Sequence, residues 1–198
     1  MKFLHVGCGP KYKSQTTKGF NNDSFQEIRF DINPIVSPDI IGTMTDMSMI
    51  NNSEFDAIFS AHNIEHLYAH EVDLALLEFN RILNKNGYLV INCPDLQSIS
   101  KLVAEDKLTE MAYMSSAGPI CPIDVIFGFR ESIAKGNYYM AHKYGFTSKV
   151  LIHHLKKAGF ISIATMRREI NFDLWAIASK QLFNENDIRE LAKIHFPS

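Results

Sequence analysis

The sequence predicts one α/β domain built on a doubly wound, mostly parallel sheet, with an antiparallel strand near one edge and a helical cap inserted late in the chain. Three observations carry that expectation. Short apolar runs bounded by turn residues alternate with helix-like segments, the pattern of strands buried on both faces. The first run, residues 3–6, enters the turn Gly7-Cys8-Gly9. The last two runs are joined by Asn171-Phe172-Asp173, a turn suited to an antiparallel hairpin.

Taken in order, residues 3–6 form a short buried strand stopped by Gly7, and residues 27–32 a second, stopped by Asn33-Pro34. Residues 39–42 make a third strand, 55–60 a fourth and 88–93 a fifth, ended by Pro94. Between the fourth and fifth, residues 72–83 hold Leu74, Leu77, Ile82 and Leu83 and predict a helix packed on the sheet, with Asn84-Lys85-Asn86-Gly87 as its stop. Strand, helix and strand in this order imply right-handed parallel crossovers. Residues 147–158 predict another helix, with Thr147 as N-cap and Gly159 as its end. Residues 161–166 and 172–179 close the sheet, and 185–195 form a final helix. Residues 96–144 break the rhythm with Gly118-Pro119, Cys121-Pro122 and Tyr138-Tyr139. Helices are expected there at 98–105 and 123–134. The segment reads as a cap over a site within a single domain 1–198; a packing decoration is the alternative.

The bulk properties narrow the function classes. A chain of 198 residues fits one domain, and 46% hydrophobic with 21% charged residues is ordinary for a globular protein. No apolar stretch reaches the roughly 20 residues that span a bilayer, and the apolar run before Cys8 is too short for a secretory signal. A formal charge of −2 gives no basic excess for a phosphate backbone. The three cysteines, Cys8, Cys93 and Cys121, form no disulfide or metal spacing. The expectation is a cytoplasmic protein acting on a small molecule, with neither nucleic acid nor membrane as partner.

Four motifs carry the chemistry. A strand running into Gly7-Cys8-Gly9 makes a tight turn, and glycines let a nucleoside lie against the backbone. The third glycine of a dinucleotide fingerprint would fall at Tyr12, which argues against a bound pyrophosphate and a nicotinamide oxidoreductase. Asp31 stands at a strand end about 20 residues beyond the turn, where a carboxylate can accept bonds from both ribose hydroxyls. In Gly42-Thr43-Met44-Thr45-Asp46-Met47, Asp46 can reach an adenine amine and Met47 can pack on the ring; alternatively Asp46 only caps the turn 47–50. The fourth motif is "FDAIFSAHNIEHL", residues 55–67.

With the order and spacing of these motifs, and with "RILNKNGYLVINCPD" and "HKYGFTSKVLIHHLKKAGF" further on, the sequence resembles the class I S-adenosylmethionine-dependent methyltransferases, and most the small bacterial type 11 group. The likeness covers roughly residues 1–95 and 142–180. It implies a Rossmann-like fold and transfer of a methyl group to an oxygen or nitrogen nucleophile of a small polar acceptor. It implies S-adenosylmethionine as cofactor and S-adenosylhomocysteine as product. It further implies Gly7, Cys8 and Gly9 near the methionine part, Asp31 on the ribose and Ile32 beside the adenine. Asp46 and Met47 fall at the adenine, and Ala61 with His62 below the sulfonium. A protein that binds the cofactor without turnover is the alternative. The first helix departs from the family: only 17 residues separate Gly9 from Glu27, and residues 11–23 show no apolar stripe.

His62-Asn63-Ile64-Glu65-His66 also spells the inverted zinc-peptidase motif, in which two histidines at i and i+4 on a helix chelate zinc. It follows a predicted strand directly, and no third-ligand motif lies downstream, so no metal site is expected; a zinc hydrolase is the lesser alternative. On the acceptor side, His142 sits where the cap returns to the sheet and can take a proton from an acceptor. His66 is the next candidate. Arg130 can hold an anionic part of the acceptor by paired bonds. The competing reading of His142 is a hydrogen bond that ties the cap to the sheet.

Overall fold

The computed structural model describes residues 1–115 and 117–197. Its main sheet has seven strands: β1 (Lys2–Val6), β2 (Gln26–Asp31), β3 (Ile40–Ile41), β4 (Phe55–Ala61), β5 (Leu83–Pro94), β8 (Ser162–Arg168) and β9 (Asp173–Ser179). Their order is β3-β2-β1-β4-β5-β9-β8. The first five run parallel; β9 is antiparallel to both β5 and β8. The chain therefore winds outward from β1 through β2 to β3, then restarts on the other side with β4. That reversal opens a crevice at the carboxyl ends of β1 and β4, where ligands of such sheets bind.

Alternation along the strands divides the core into two layers. On β1, Leu4 and Val6 enter the larger cluster while Phe3 enters the other. On β9, Leu174, Ala176 and Ala178 face the first and Ile177 the second. The first layer is covered by α1 (Ala69–Ile82) and α5 (Ser148–Lys157), which bury Val72, Leu76, Phe79, Leu151 and Leu155. Thr147 caps α5 by accepting a bond from Val150 N. The second layer lies under Phe20 and Phe25 and under α6 (Glu185–His195), with Leu191 and Ala192 packed against it.

No regular helix follows the glycine turn; residues 11–25 hold one 3-10 turn, Lys13–Gln15. Arg29, 6% exposed, organises this segment instead. Its guanidinium donates to the carbonyls of Gly9, Lys11, Val36 and Ser37 at 2.6–3.2 Å and lies over the Tyr12 ring. A forked donor set is what lets one side chain satisfy four carbonyls.

Three other expectations change. The helix expected at 123–134 is two, α3 (Pro122–Phe127) and α4 (Arg130–Ala134). They break at Gly128, whose φ is +98° and whose added Cβ would fall 2.0 Å from Met140 O. Asn84–Gly87 does not end the chain's run: β5 already starts at Leu83, and the register shifts between Phe55↔Leu83 and Ala57↔Tyr88, so three extra residues bulge out. Residues 96–144 also contain a hairpin, β6 (Tyr113–Ser115) with β7 (Gly118–Ile120), that short runs of the sequence did not reveal. With α2 (Leu96–Ala104), this segment builds its own small cluster around Ile99, Ile120 and Val125.

Candidate active site

One cavity of about 910 Å³ occupies the crevice. Its floor is the glycine turn. Gly7 and Gly9 have φ of +61° and +52°, left-handed backbone that glycine adopts without steric cost. Gly7 N and Cys8 N both donate to Phe30 O, pinning the turn to β2. A Cβ on Gly7 would lie 1.8 Å from Asn63 Oδ1, whereas one on Gly9 would meet nothing within 4 Å. Gly7 is thus required by packing and Gly9 leaves open space. Asn63 Nδ2 donates to Val6 O and Ala61 O, at 2.9 and 3.1 Å, and so joins the ends of β1 and β4.

Asp31 ends β2 at 9% exposed. Oδ2 accepts from Gly9 N and Oδ1 from Asn33 N, both at 2.8 Å. Gly7, Gly9, Asp31, Ile32 and His62 line the cavity. The other expected cofactor residues do not. Cys8 turns into the core, 1% exposed, where burial pushes its thiol up to about 11. Ala61 packs against the second core layer. Met47 is fully buried in the first layer, and its N–H donates to Glu78. Asp46 is exposed and accepts from Ser48 N, the turn-capping alternative. Thr43 and Met44 take the place on the cavity wall that Asp46 and Met47 were expected to hold. An acid attracted the assignment; the turn's geometry puts residues three positions earlier at the wall.

Glu65, His66, His142 and Lys143 also line the cavity. Glu65 and His66 lie on the 3-10 turn Ile64–His66. Glu65 O accepts from both Lys143 N and Tyr144 N, and His142 N donates to Phe127 O. These backbone bonds set His142 beside His66, with ring centroids 4.9 Å apart. His66 Nδ1 donates to Ala141 O at 3.1 Å and His142 Nδ1 to Val125 O at 2.8 Å. A carbonyl only accepts, so Nδ1 carries the proton and the neutral ring keeps its lone pair on Nε2. Burial holds the His142 pKa below its ordinary value, outweighing the pull of Glu65. The bond to Val125 ties His142 to α3 within the segment 96–144; the backbone bonds of Lys143 and Tyr144 to Glu65 are what dock this stretch on the sheet domain.

Glu65 is 1% exposed, and neither carboxylate oxygen has a hydrogen-bond donor; His62 Nδ1 stands 3.4 Å from Oε1. Burial works to raise its pKa, and the neighbouring His62 ring is the main influence that holds it down. The peptidase geometry is absent: His62 has φ +55° and precedes a single 3-10 turn, so His62 and His66 are not successive rungs of an α-helix.

Arg130 does not line the cavity. Its Nε and Nη2 bind Asp124 at 2.7 and 3.2 Å, which ties the start of α4 to α3 and leaves the fork engaged. Lys11, Lys143 and Arg168 are the cationic residues on the wall, and Arg168 is paired with Asp173. Asn63 and Arg29 carried no motif signal; only the fold shows what they join.

Residues 4–91 match the family model described as a methyltransferase domain. No curated protein matches the chain. Among solved structures, a Thermotoga maritima S-adenosylmethionine-dependent methyltransferase, described as a possible histamine N-methyltransferase, is 15% identical, with a TM-score of 0.58 over 91% of this chain and 82% of that one. A Methanosarcina mazei S-adenosylmethionine-dependent methyltransferase is 15% identical, with a TM-score of 0.57 over 90% and 92%. The Burkholderia thailandensis 1,6-didemethyltoxoflavin-N1-methyltransferase, solved with 1,6-didemethyltoxoflavin and S-adenosylhomocysteine, is 11% identical, with a TM-score of 0.53 over 89% and 69%. At these identities the likeness is one of fold.

Proposed function

We propose that this chain, an S-adenosylmethionine-dependent methyltransferase of the class I fold, transfers the methyl group to an oxygen or nitrogen of a small polar molecule held beneath residues 96–144. The observation that carries this reading is the continuity of the cavity. One space is lined by Gly7, Gly9 and Asp31 at one end and by His66 and His142 at the other. Its volume, about 910 Å³, is at the upper end for a small-molecule site, with room for a nucleoside and an acceptor.

The glycine-turn end fits the cofactor. Each Asp31 oxygen accepts one backbone bond and retains a lone pair, one for each ribose hydroxyl. Ile32, Val36 and Met44 offer an apolar wall to the purine. Gly7 and Gly9 let the backbone approach the methionine part, and His62 borders it. The bound cofactor supplies an electrophilic methyl group on a positively charged sulfur. The chain supplies placement, which in well-aligned systems contributes up to about 7–11 kcal/mol.

The Nε2 lone pairs of His142 and His66 belong to the acceptor end. In this reading they are the catalytic side chains and lower the cost of removing the acceptor's proton, an effect of about 10²–10⁴-fold. The cap residues Tyr113, Phe129 and Tyr139 enclose that end. The Burkholderia protein, by its description, methylates and binds 1,6-didemethyltoxoflavin, which supports a small acceptor here. Three free cysteines support a reducing, cytoplasmic setting, and no helix among the described residues is long and apolar enough to cross a membrane.

The test is S-adenosylhomocysteine release from wild type incubated with a panel of small hydroxy and amino compounds. His142→Ala should lower kcat about 100-fold or more while cofactor affinity holds. Its lost bond to Val125 costs about 1 kcal/mol of stability. Full turnover by the variant with a lowered melting temperature would leave His142 a cap tie alone. Absence of S-adenosylhomocysteine binding by wild type would end the whole reading.

A further inference from the structure

Three bases converge at the acceptor end with no donor among them. A carboxylate oxygen of Glu65 and one nitrogen each of His66 and His142 lie within 4.8 Å of one another. Glu65 is 1% exposed and both its oxygens lack a hydrogen-bond partner; His62 Nδ1, 3.4 Å from Oε1 on an exposed side chain, is a loose neighbour that leaves the other oxygen bare. A buried carboxylate is costly unless a cation or a set of donors compensates it. The two imidazoles add lone pairs, not protons, because each spends its Nδ1–H on a backbone carbonyl. A histidine oriented through its second nitrogen in this way is the usual companion of a metal ligand.

We infer that Glu65, His66 and His142 bind one divalent first-row transition cation of the zinc type, with an open coordination position facing the cavity. Two imidazoles and one carboxylate suit zinc, iron(II), cobalt or manganese better than calcium or magnesium. Three protein ligands with a vacant fourth position is the arrangement of a catalytic rather than a structural site. The backbone prebuilds it: Lys143 N and Tyr144 N both bond Glu65 O, so the extended segment carrying His142 is docked on the turn carrying the other two ligands. Sequence spacing suggested His62 with His66; the fold pairs His66 with its neighbour Glu65 and with a histidine from the far end of the cap.

The site stands on its own geometry. The use of the cation rests on the methyltransferase reading: the acceptor's hydroxyl or amine would take the open position, the metal would polarise it so that its proton passes to solvent water, and the oxygen or nitrogen would take the methyl group as the C–S bond breaks and S-adenosylhomocysteine leaves with the electron pair. His66 and His142 then act by holding the cation. The acceptor class this favours is a hydroxy compound with a second oxygen or nitrogen placed to chelate.

The experiment uses full-length protein without a polyhistidine tag, stripped with chelator and titrated with Zn²⁺ by calorimetry and with Co²⁺ by visible absorption. The expected result is one equivalent bound at about micromolar Kd or tighter, with cobalt bands of a mixed nitrogen–oxygen site. Glu65→Gln and His142→Ala should each weaken binding at least about 10-fold. His70→Ala and His153→Ala, both exposed, should leave it unchanged. Binding that is absent in wild type, or that survives both ligand substitutions, overturns the inference. Should either variant fail to fold, the wild-type cobalt spectrum and stoichiometry still decide. S-adenosylhomocysteine titration of the same stripped protein separates the two readings. Cofactor binding without metal binding removes the cation alone, and metal binding without cofactor binding removes the methyltransferase role of the cavity.

Discussion

Replacing Asp31 by alanine tests whether the carboxylate at the end of β2 is the ribose anchor. In the structure each of its oxygens accepts one backbone N–H at 2.8 Å, from Gly9 and Asn33, and each has one lone pair left for the cavity. Hydrogen bonds to a charged group contribute about 1.5–3 kcal/mol. Their loss corresponds to a Kd for S-adenosylhomocysteine raised about 10- to 150-fold. The same substitution frees the two backbone donors. Both border the cavity, so water replaces the carboxylate, and the stability loss stays near 1–3 kcal/mol. For a domain of this size that lowers the melting temperature by about 2–12 °C. Calorimetric titration well below the melting point, with a thermal scan of each variant, separates the two effects. Asp46→Ala is the paired control: Asp46 is exposed and off the cavity wall, so its Kd should stay within about twofold, since a surface change away from such features costs little. A folded Asp31→Ala protein with wild-type affinity, or a larger loss in Asp46→Ala, refutes the assignment.

Three further outcomes follow from the same structure. Gly7→Ala should destabilise well beyond the roughly 1–2 kcal/mol of left-handed strain, because its Cβ meets Asn63 at 1.8 Å. Gly9→Ala should cost only that strain and show its main loss in cofactor affinity. Equal urea midpoints for the two would contradict this packing. Arg29→Ala strands four carbonyls and should cost about 2–4 kcal/mol, and Arg29→Lys should recover little because an ammonium cannot reproduce the fork; a loss below about 0.5 kcal/mol in either would show that the turn stands without it. His195, 2% exposed between Thr17 and Tyr88, has its pKa pushed by burial from 6.5 to about 4. The unfolded chain therefore binds the extra proton first. The stability this gives is full above about pH 6.5 and is lost as pH falls toward 4, by about 3 kcal/mol in total. The measurement is the wild-type melting temperature against that of His195→Gln from pH 7.5 to 4.5, and a constant difference between them would count against it.

The amino-acid sequence determined the strands and most helices directly, because burial on both faces writes an apolar run and burial on one face writes a 3.6-residue period. Residues 185–195 were legible as a helix to the residue, and Thr147 was legible as a cap. Gly7, Gly9, Asp31, His66 and His142 were also named from local pattern, and Ile32 and His62 from the family resemblance; all seven line the cavity. What pattern could not fix was direction and partnership. Asp46 and Met47 sit in the right turn, but the turn's path sends one to solvent and the other to the core. Arg130 looked free because its partner, Asp124, is a neighbour only once Gly128 breaks the expected helix. Arg29 replaces a missing helix through four carbonyls from two separate stretches of chain, a role with no sequence signature. The trio of Glu65, His66 and His142 is the clearest case. The first two are adjacent in sequence and the third arrives 76 residues after His66, brought back by backbone hydrogen bonds from Lys143 and Tyr144 to the turn after β4. Short-range spacing records which atoms one turn of chain can bring together; only the closed fold decides which distant atoms share a buried volume.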